Sequence, residues 1–98
     1  MSAYLLFIRE GQVQDPAEFA IYQRMNRAAP RDPRLKPCVV YGSIEALEGE
    51  APDGVVLLEF PSAEDARAWY RSPQYQAALP HRRKSADYRA LLIEGLSA

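Results

Sequence analysis

The chain has 98 residues, of which 48% are hydrophobic and 26% are charged, and its formal net charge is −1. This length predicts a single domain over residues 1–98, and the composition excludes a disordered chain. The nearly balanced charge argues against nucleic-acid binding, which needs a clustered basic surface. No segment approaches the roughly 20 apolar residues of a membrane span, so we expect no membrane association.

Cys38 is the only cysteine, so the sequence predicts neither an intramolecular disulfide nor a cysteine-based metal site. Because Cys38 opens an apolar segment with no evident base beside it, we predict a small buried thiol. The first ten residues, MSAYLLFIRE, lack the basic region and the long apolar run of a secretory leader. Neither a phosphate-binding loop nor a dinucleotide fingerprint occurs. These features predict a cytoplasmic protein without a metal or an organic cofactor.

The chain begins with a predicted strand followed by a helix. Residues 3–9 (AYLLFIR) form an almost wholly apolar run, which is typical of a strand buried on both faces. Asp15 and Pro16 predict a helix start, with the aspartate as N-cap and the proline at the first helical position. The apolar stripe of this helix extends to about Ala29.

The next segment predicts a turn and a second strand. Three prolines within residues 30–37 end the helix and indicate an ordered turn. Residues 38–43 (CVVYGS) predict the second strand. Residues 44–48 (IEALE) alternate apolar and acidic side chains, and we expect them to continue it as a half-exposed edge strand.

The second half of the chain predicts a strand and two helices. Residues 55–60 (VVLLEF) form the third predicted strand. Ser62 caps a helix that ends near Arg71, because its side chain can accept from the first-turn amides. The pair Ser72-Pro73 repeats this start, so we predict a new short helix in which Pro80 is compatible with a bend or a restart.

Residues 88–94 (YRALLIE) predict the last strand and complete the order β-α-β-β-α-β. This order is typical of a ferredoxin-like α+β sandwich with an antiparallel sheet, whose helices cover one face only. Three of the predicted strands are nevertheless apolar on both faces, and an apolar patch of more than a few hundred Å² rarely stays exposed on a monomer. We therefore predict a homodimer in which two sheets pack face to face as a dimeric α+β barrel.

Several segments resemble the family of the domain of unknown function 1330 (DUF1330). In chain order they are AYLLFIRE, DPAEFAIY, YGSIEALEG, VVLLEFPSAEDARAWYRSPQYQ, and a last stretch containing HRR, ADYR and LIEG. The resemblance spans nearly the whole chain and implies a dimeric α+β barrel. It implies no reaction, because the family is named for lacking one. The barrel superfamily that the chain resembles includes cofactor-independent oxygenases, isomerases, haem-degrading enzymes and ligand-binding proteins.

The resemblance is most specific around the second predicted helix. Residues 58–62 (LEFPS) match the family's strand-to-helix junction, and residues 69–76 (WYRSPQYQ) match its helical hairpin. Arg82 and residues 86–89 (ADYR) match its last turn and last strand. The loop at residues 30–37 departs from the pattern, since many members carry glycines there, and this leaves the shape of one rim of a pocket open.

Glu59 and His81 are the two candidate catalytic residues. If Phe60 packs under the helices, alternation along the strand points Glu59 into the barrel, where a carboxylate can act as a general base or acid. The alternative is a structural ion pair or a position at the rim. His81 is the lone histidine, and a surface or capping role is the alternative to a proton-transfer role. No second histidine or paired acid stands beside it, so no metal site is predicted.

Four residues are predicted to contact a ligand. Arg9 ends the first strand, where it would pair with Glu59 or bind a ligand carboxylate, and a structural role at the sheet edge is the alternative. Arg82 would supply a further polar contact. Tyr41 and Tyr88 lie on predicted strands, and we expect them to face a barrel cavity.

The remaining aromatic residues are predicted to form the core between helices and sheet, although some of them could line a pocket. They lie at helical spacing and comprise Phe19, Tyr22, Trp69, Tyr70 and Tyr75.

Three functions remain open at this point. The first is a homodimer that binds a small apolar or aromatic molecule in a pocket between sheet and helices. The second is a cofactor-independent enzyme, oxygenase- or isomerase-like, in which Glu59 or His81 moves a proton and Arg9 or Arg82 holds the developing anion. The third is an assembly module without a ligand.

Overall fold

The structure is a computed structural model that describes residues 2–96. Its elements are β1 (Ala3–Glu10), α1 (Pro16–Ala28), β2 (Lys36–Val40), β3 (Gly54–Phe60), α2 (Ala63–Tyr70), α3 (Pro73–Ser85) and β4 (Asp87–Glu94). The four strands form one sheet in the order β2-β3-β1-β4, and every neighbouring pair is antiparallel. The predicted ferredoxin-like α+β fold is confirmed.

All three helices begin with the capping chemistry that the sequence predicts. The side chains of Asp15, Ser62 and Ser72 each accept a hydrogen bond from the backbone amide three residues later, at 3.1, 3.1 and 3.2 Å. Pro16 and Pro73 occupy the first turns of α1 and α3, where a missing amide donor is harmless. Each cap of this kind stabilises a helix by about 1 kcal/mol.

The prediction for the second strand is wrong at both ends. The strand was predicted over residues 38–43 and extended through residues 44–48, whereas β2 begins at Lys36 and ends at Val40. It ends there because Tyr41 adopts a left-handed backbone conformation, with φ of 54°, and turns the chain away from the sheet. Leu47 is 85% exposed, so the alternating residues that follow form a solvated loop.

The prediction that Cys38 is buried is also wrong. The β2–β3 register shifts between Pro37 and Val39, which leaves Cys38 in a bulge on the edge strand of the sheet. Its thiol is exposed, and Sγ lies 3.6 Å from the Lys36 carbonyl oxygen. A bulge adds one residue to a strand without a partner on the neighbouring strand, so the apolar pattern around Cys38 does not bury it.

Helix α3 continues through Pro80 for 13 residues, so no new helix starts there. Proline removes one intrahelical hydrogen bond, but packing of a buried face can hold a helix together. That face includes Tyr75, Leu79 and Arg82. The continuous helix therefore keeps Arg82 two turns away from Tyr75 on the same side.

The strand register gives the sheet two distinct faces. On the helix face, Leu5, Phe7, Leu58 and Phe60 are buried beneath the helices and form the core with the inward side chains of α1, α2 and α3. The opposite face, called the outer face below, carries eight apolar side chains that no helix covers: Tyr4, Leu6, Ile8, Val39, Val55, Leu57, Leu91 and Ile93.

Candidate functional site

A cleft of about 920 Å³ lies between the helix face of the sheet and the helices. Side chains of the sheet, the inward face of α1, the α1–β2 loop and the α2–α3 hairpin line it, and we call it the helix-side cleft. Its aromatic and cationic lining residues are Phe7, Tyr22, Tyr41, Trp69, Tyr75, Tyr88, Arg27, Arg31, Arg34 and Arg82. Its volume falls within the range of small-molecule sites, roughly 300–1,000 Å³.

Arg82 is the buried cation of this cleft, with only 5% of its surface exposed. Its guanidinium carbon lies 5.2 Å from the centroid of the Phe7 ring and 5.3 Å from that of the Tyr88 ring. Such cation–π contacts offset part of the cost of removing a charge from water. Arginine is rarely buried to this extent in proteins, which makes Arg82 a candidate functional residue.

Two tyrosine hydroxyls extend from Arg82 along the cleft wall. Arg82 Nη1 donates to the Tyr75 hydroxyl at 3.0 Å, and the Tyr75 and Tyr22 hydroxyl oxygens are 2.9 Å apart. Burial raises the pKa of Tyr75 well above its usual value, and this effect exceeds the opposing effect of the Arg82 charge. Tyr75 is therefore a neutral phenol at physiological pH.

A second tyrosine pair closes the cleft beside the sheet. The hydroxyl oxygens of Tyr41 and Tyr88 lie 2.6 Å apart, and burial, followed by this hydrogen bond, raises the pKa of Tyr41. The Tyr41 ring packs directly against Gly54, since a Cβ at Gly54 would lie 3.0 Å from its Cδ1 atom and 3.1 Å from its Cε1 atom. The left-handed backbone of Tyr41 and the missing side chain of Gly54 together place this ring in the cleft.

Arg9 lies behind Tyr41 and does not line the cleft. Its Nη2 donates to the Asp53 carbonyl oxygen at 3.0 Å, and its guanidinium stacks near the Tyr41 and Phe19 rings, at 5.5 and 6.0 Å from their centroids. The proposed pairing with Glu59 is wrong, because Arg9 projects from the helix face and Glu59 from the outer face. Its contact with a ligand stays a prediction.

The α1–β2 loop forms the rim of the cleft, and Arg34 attaches this loop to α2. Its guanidinium contacts Asp32 in the same loop at 3.0 Å and Asp65 of α2 at 2.9 Å. The side-chain hydrogen bond from Arg34, together with its backbone hydrogen bond, lowers the pKa of Asp32. The loop whose shape the sequence left open is thus tied across one side of the cleft mouth.

His81 lies outside the cleft, between two helices. Its Nδ1 pairs with the Glu18 carboxylate of α1, and both side chains are largely buried. Two backbone amides, those of Gln14 and Asp15, also donate to the Ser85 carbonyl at the end of α3. His81 therefore takes part in the contact between α1 and α3, and its proton-transfer role stays a prediction.

Glu59 lies on the outer face, on the side of the sheet opposite the cleft. The Tyr4 hydroxyl donates to its carboxylate at 3.3 Å, and Lys36 Nζ lies 4.0 Å away. The proximity of the Glu59 charge raises the pKa of Tyr4. Glu59 therefore points where alternation predicted, and its catalytic role stays a prediction.

The structure brings Arg82, Tyr41 and Tyr88 together in one cleft and separates them from Glu59 and His81. Tyr41 and Tyr88 face the helices rather than the interior of a barrel formed by the outer faces. Tyr22 and Tyr75 were predicted as core residues, within a group of which some could line a pocket. Their residue type could have identified them as site candidates. A buried tyrosine carries a hydroxyl that needs a hydrogen-bond partner, whereas a phenylalanine does not.

Residues 2–96 contain neither a cluster of metal-binding side chains nor a membrane-spanning helix. Within this range no three histidine, cysteine, aspartate or glutamate side chains lie close enough to hold a metal ion. No helix of the same range has the length and apolar character needed to cross a bilayer.

Solved structures with this fold come from several bacteria. A protein of unknown function from Rhodopseudomonas palustris is 21% identical, with a TM-score of 0.64 over 99% of this chain and 84% of that one. An ethyl tert-butyl ether degradation (EthD) family protein from Bacillus halodurans is 18% identical, with a TM-score of 0.63 over 98% and 100% of the two chains. A protein described as dimeric and ferredoxin-like, from Thermobifida fusca, is 16% identical, with a TM-score of 0.62 over 95% and 90%.

Identities this low show a shared fold and nothing about activity. No curated protein matches the chain at a significant level. The family model for the domain of unknown function DUF1330 matches residues 2–96. The chain therefore belongs to the DUF1330 family.

Proposed function

We propose that the protein binds a small, largely apolar or aromatic molecule in the helix-side cleft. The observation that carries this proposal is the lining itself, which combines six aromatic rings with one buried cation in a space of about 920 Å³. Ligand sites are typically concave and mostly apolar, with a few polar groups that fix orientation. Here those groups are Arg82 and the hydroxyls of Tyr22, Tyr75, Tyr41 and Tyr88.

The rings belong to the packed core and also form two walls of the cleft. Trp69 and Tyr75 stack with centroids 4.4 Å apart on the side of the α2–α3 hairpin, and Tyr41 and Tyr88 lie against the sheet. A planar molecule between these walls would meet aromatic faces and edges, and such contacts add about 0.5–1.5 kcal/mol each beyond the burial of area.

The test is titration calorimetry with neutral aromatic probes, naphthalene-2-carboxamide and 2-naphthol, on the wild type and an Ala68→Trp variant. Ala68 lines the cleft and is exposed, so a larger side chain there occupies the cleft without overpacking the core. Ala77→Trp is the matched control, because Ala77 is exposed on α3 outside the cleft. We expect the first variant to lose binding and the second to keep it. Saturable binding that Ala68→Trp leaves unchanged would place the site elsewhere.

We further propose that two copies of the chain associate through their outer faces. Val39, Leu91 and Ile93 are 36%, 42% and 44% exposed there, although all three are large and apolar. Among the described residues, the charged side chains of this face lie at strand ends and sheet edges, at Lys36, Glu59, Glu10, Asp87 and Arg89. The relatives described as dimeric have the same fold and support a symmetric pair.

Light scattering tests the dimer. We expect a mass of twice 11.0 kDa for the wild type. Leu91→Lys should give the single-chain mass, since a charge at the centre of an apolar interface remains without a partner. Ala20→Lys, on the exposed side of α1, is the control and should keep the paired mass. A wild-type mass of one chain at micromolar concentration would contradict this proposal.

The enzymatic alternative keeps Glu59 and His81 as proton-transfer groups in a cofactor-independent reaction, and it stays a prediction. Neither residue lines the helix-side cleft, so a reaction there would have to use Arg82 and the tyrosines instead. The cytoplasmic location also stays a prediction, and the single exposed Cys38 agrees with it. If no probe binds, the assembly module without a ligand becomes the better description.

A further inference from the structure

Resting on the proposed binding function, we infer that the ligand of the helix-side cleft is a small aromatic or apolar carboxylate, and that its carboxylate group binds the Arg82 guanidinium. The proposed function asks only for an apolar molecule of suitable size. The charge and position of Arg82 also indicate the chemical class of the ligand, a carboxylate.

Arg82 is buried without an anionic partner. It is 5% exposed, and within residues 2–96 no carboxylate lies within 4.0 Å of its nitrogens. Asp87 borders a smaller cleft of about 390 Å³ that Arg82 also lines, but Asp87 is exposed and lies beyond ion-pair distance. A cation removed from water is unfavourable unless an anion or several acceptors compensate it.

The compensation that Arg82 receives is incomplete. The rings of Phe7 and Tyr88 supply aromatic contacts, and the last turn of α3 supplies the negative end of a helix dipole. The Tyr75 hydroxyl accepts from Nη1, but burial keeps this phenol neutral. None of these groups carries a full negative charge.

The donors that remain favour a carboxylate. Arg82 Nε has no hydrogen-bond partner within the described range, and it has essentially no exposed surface, so a ligand oxygen reaches it only if neighbouring side chains shift. Together with the neighbouring Nη2, it forms one edge of the planar guanidinium, whose two parallel N–H bonds match the two oxygens of a carboxylate. The aromatic walls of the cleft would then surround the remainder of the molecule.

The mouth of the cleft has the charge expected for this ligand class. Arg27 and Arg31 line it, and in the part of the chain that the structure describes neither has a carboxylate within 4.0 Å. Asp32 also lines the cleft and pairs with Arg34, but the arginines outnumber it, so the lining carries an excess of positive charge. Such an excess concentrates ligands of the opposite sign. The path into the cleft and its buried end therefore both favour an anion.

Calorimetry with an isosteric pair tests the inference. We expect 2-naphthoate to bind the wild type at least about tenfold more tightly than naphthalene-2-carboxamide, the effect of one charge-assisted contact. Arg82→Gln should remove this preference and retain binding of the carboxamide. Arg83→Gln, a matched change at the next and exposed residue, should leave the preference intact.

Two further measurements keep the inference testable if Arg82→Gln fails to fold. Arg82→Lys keeps the charge but loses the planar edge, and we expect it to retain only part of the preference. In the wild type, the ¹⁵N resonance of Arg82 Nε, assigned by its absence in Arg82→Lys, should shift with 2-naphthoate and not with the carboxamide.

The possible results distinguish failure of the carboxylate assignment from failure of the proposed ligand binding. Equal binding of both probes, unchanged by Arg82→Gln, would overturn the carboxylate and leave the binding function standing. Tighter binding of 2-naphthyl phosphate than of 2-naphthoate would overturn the carboxylate in favour of a phosphate ester. Binding of none of these probes would overturn both proposals.

Discussion

The two faces of the sheet are built from the same strands but differ in what they bury. The helix face encloses a charge and four tyrosine hydroxyls among aromatic rings, whereas the outer face presents aliphatic side chains with charges only near its edges. Burial of polar groups costs free energy that a purely structural core avoids. The difference agrees with the two proposals, ligand binding at the helix face and association of two copies through the outer face.

Adjacent leucines on β3 give the largest expected contrast between the faces. Leu58 is 7% exposed beneath the helices, so Leu58→Ala should lower the free energy of unfolding by about 2–5 kcal/mol. Leu57 projects from the outer face, and Leu57→Ala should mainly weaken association. Urea unfolding at two protein concentrations distinguishes the two variants. Only a variant that weakens association changes how the unfolding midpoint depends on protein concentration. Equal, concentration-independent losses would contradict the division of roles.

The tyrosine hydroxyls give the next contrast. Tyr75→Phe leaves Arg82 Nη1 and the Tyr22 hydroxyl without their shared partner, at a cost of about 1–3 kcal/mol. Tyr4→Phe removes a hydroxyl from the outer face, where its 3.3 Å hydrogen bond to Glu59 is part-buried, and should cost much less. Thermal unfolding of both variants measures the difference. A larger loss for Tyr4→Phe would place the important polar network on the outer face.

A glycine pair tests how Tyr41 is held in the cleft. Gly54→Ala places a Cβ 3.0 Å from the Tyr41 ring, so the ring must rotate, and we expect a loss of about 0.5–1.5 kcal/mol. Gly42→Ala is the control, since its Cβ meets only Val39 at an ordinary 3.7 Å. Denaturant unfolding gives the stability, and aromatic proton NMR reports the ring. An unperturbed Tyr41 in Gly54→Ala would mean that the ring does not need the glycine.

The smallest expected effect concerns pH at the cleft rim. The pKa of Asp32 is lower in the folded protein than its ordinary value of 3.8, first because of the side-chain hydrogen bond from Arg34. Ionised Asp32 therefore stabilises the loop above pH 3.8, and this contribution disappears as pH falls below that value through the folded pKa. The Leu35 amide resonance should shift in that acid range, and Arg34→Gln should move the midpoint of this change to higher pH, towards 3.8. A shift centred near neutral pH would contradict this assignment.

Local chemistry explains why most of the fold was predictable. Asp15, Ser62 and Ser72 each precede a helix by one residue, and runs that are apolar on both faces predicted β1, β3 and β4. The end of β2 was not predictable in this way, because the left-handed conformation of Tyr41 carries no sequence signal comparable to a glycine. The bulge at Cys38 likewise depends on register with β3 and not on the residue itself.

The candidate site was predictable only in part. Alternation correctly placed Glu59 opposite Phe60, and the family pattern singled out Arg82 and Tyr88. The sequence could not show that Tyr22 and Tyr75 meet across two helices, because that contact joins residues 53 positions apart. The continuity of α3 through Pro80 was equally hidden, and it keeps Arg82 near Tyr75.

The stacking of Trp69 on Tyr75 has a practical consequence. Trp69 is the only tryptophan of the chain, and its ring lines the helix-side cleft. Its ultraviolet emission therefore comes from a single known position and responds to changes in the polarity and contacts of that wall. The unmodified protein thus contains its own optical reporter, which would allow large chemical libraries to be screened without a label.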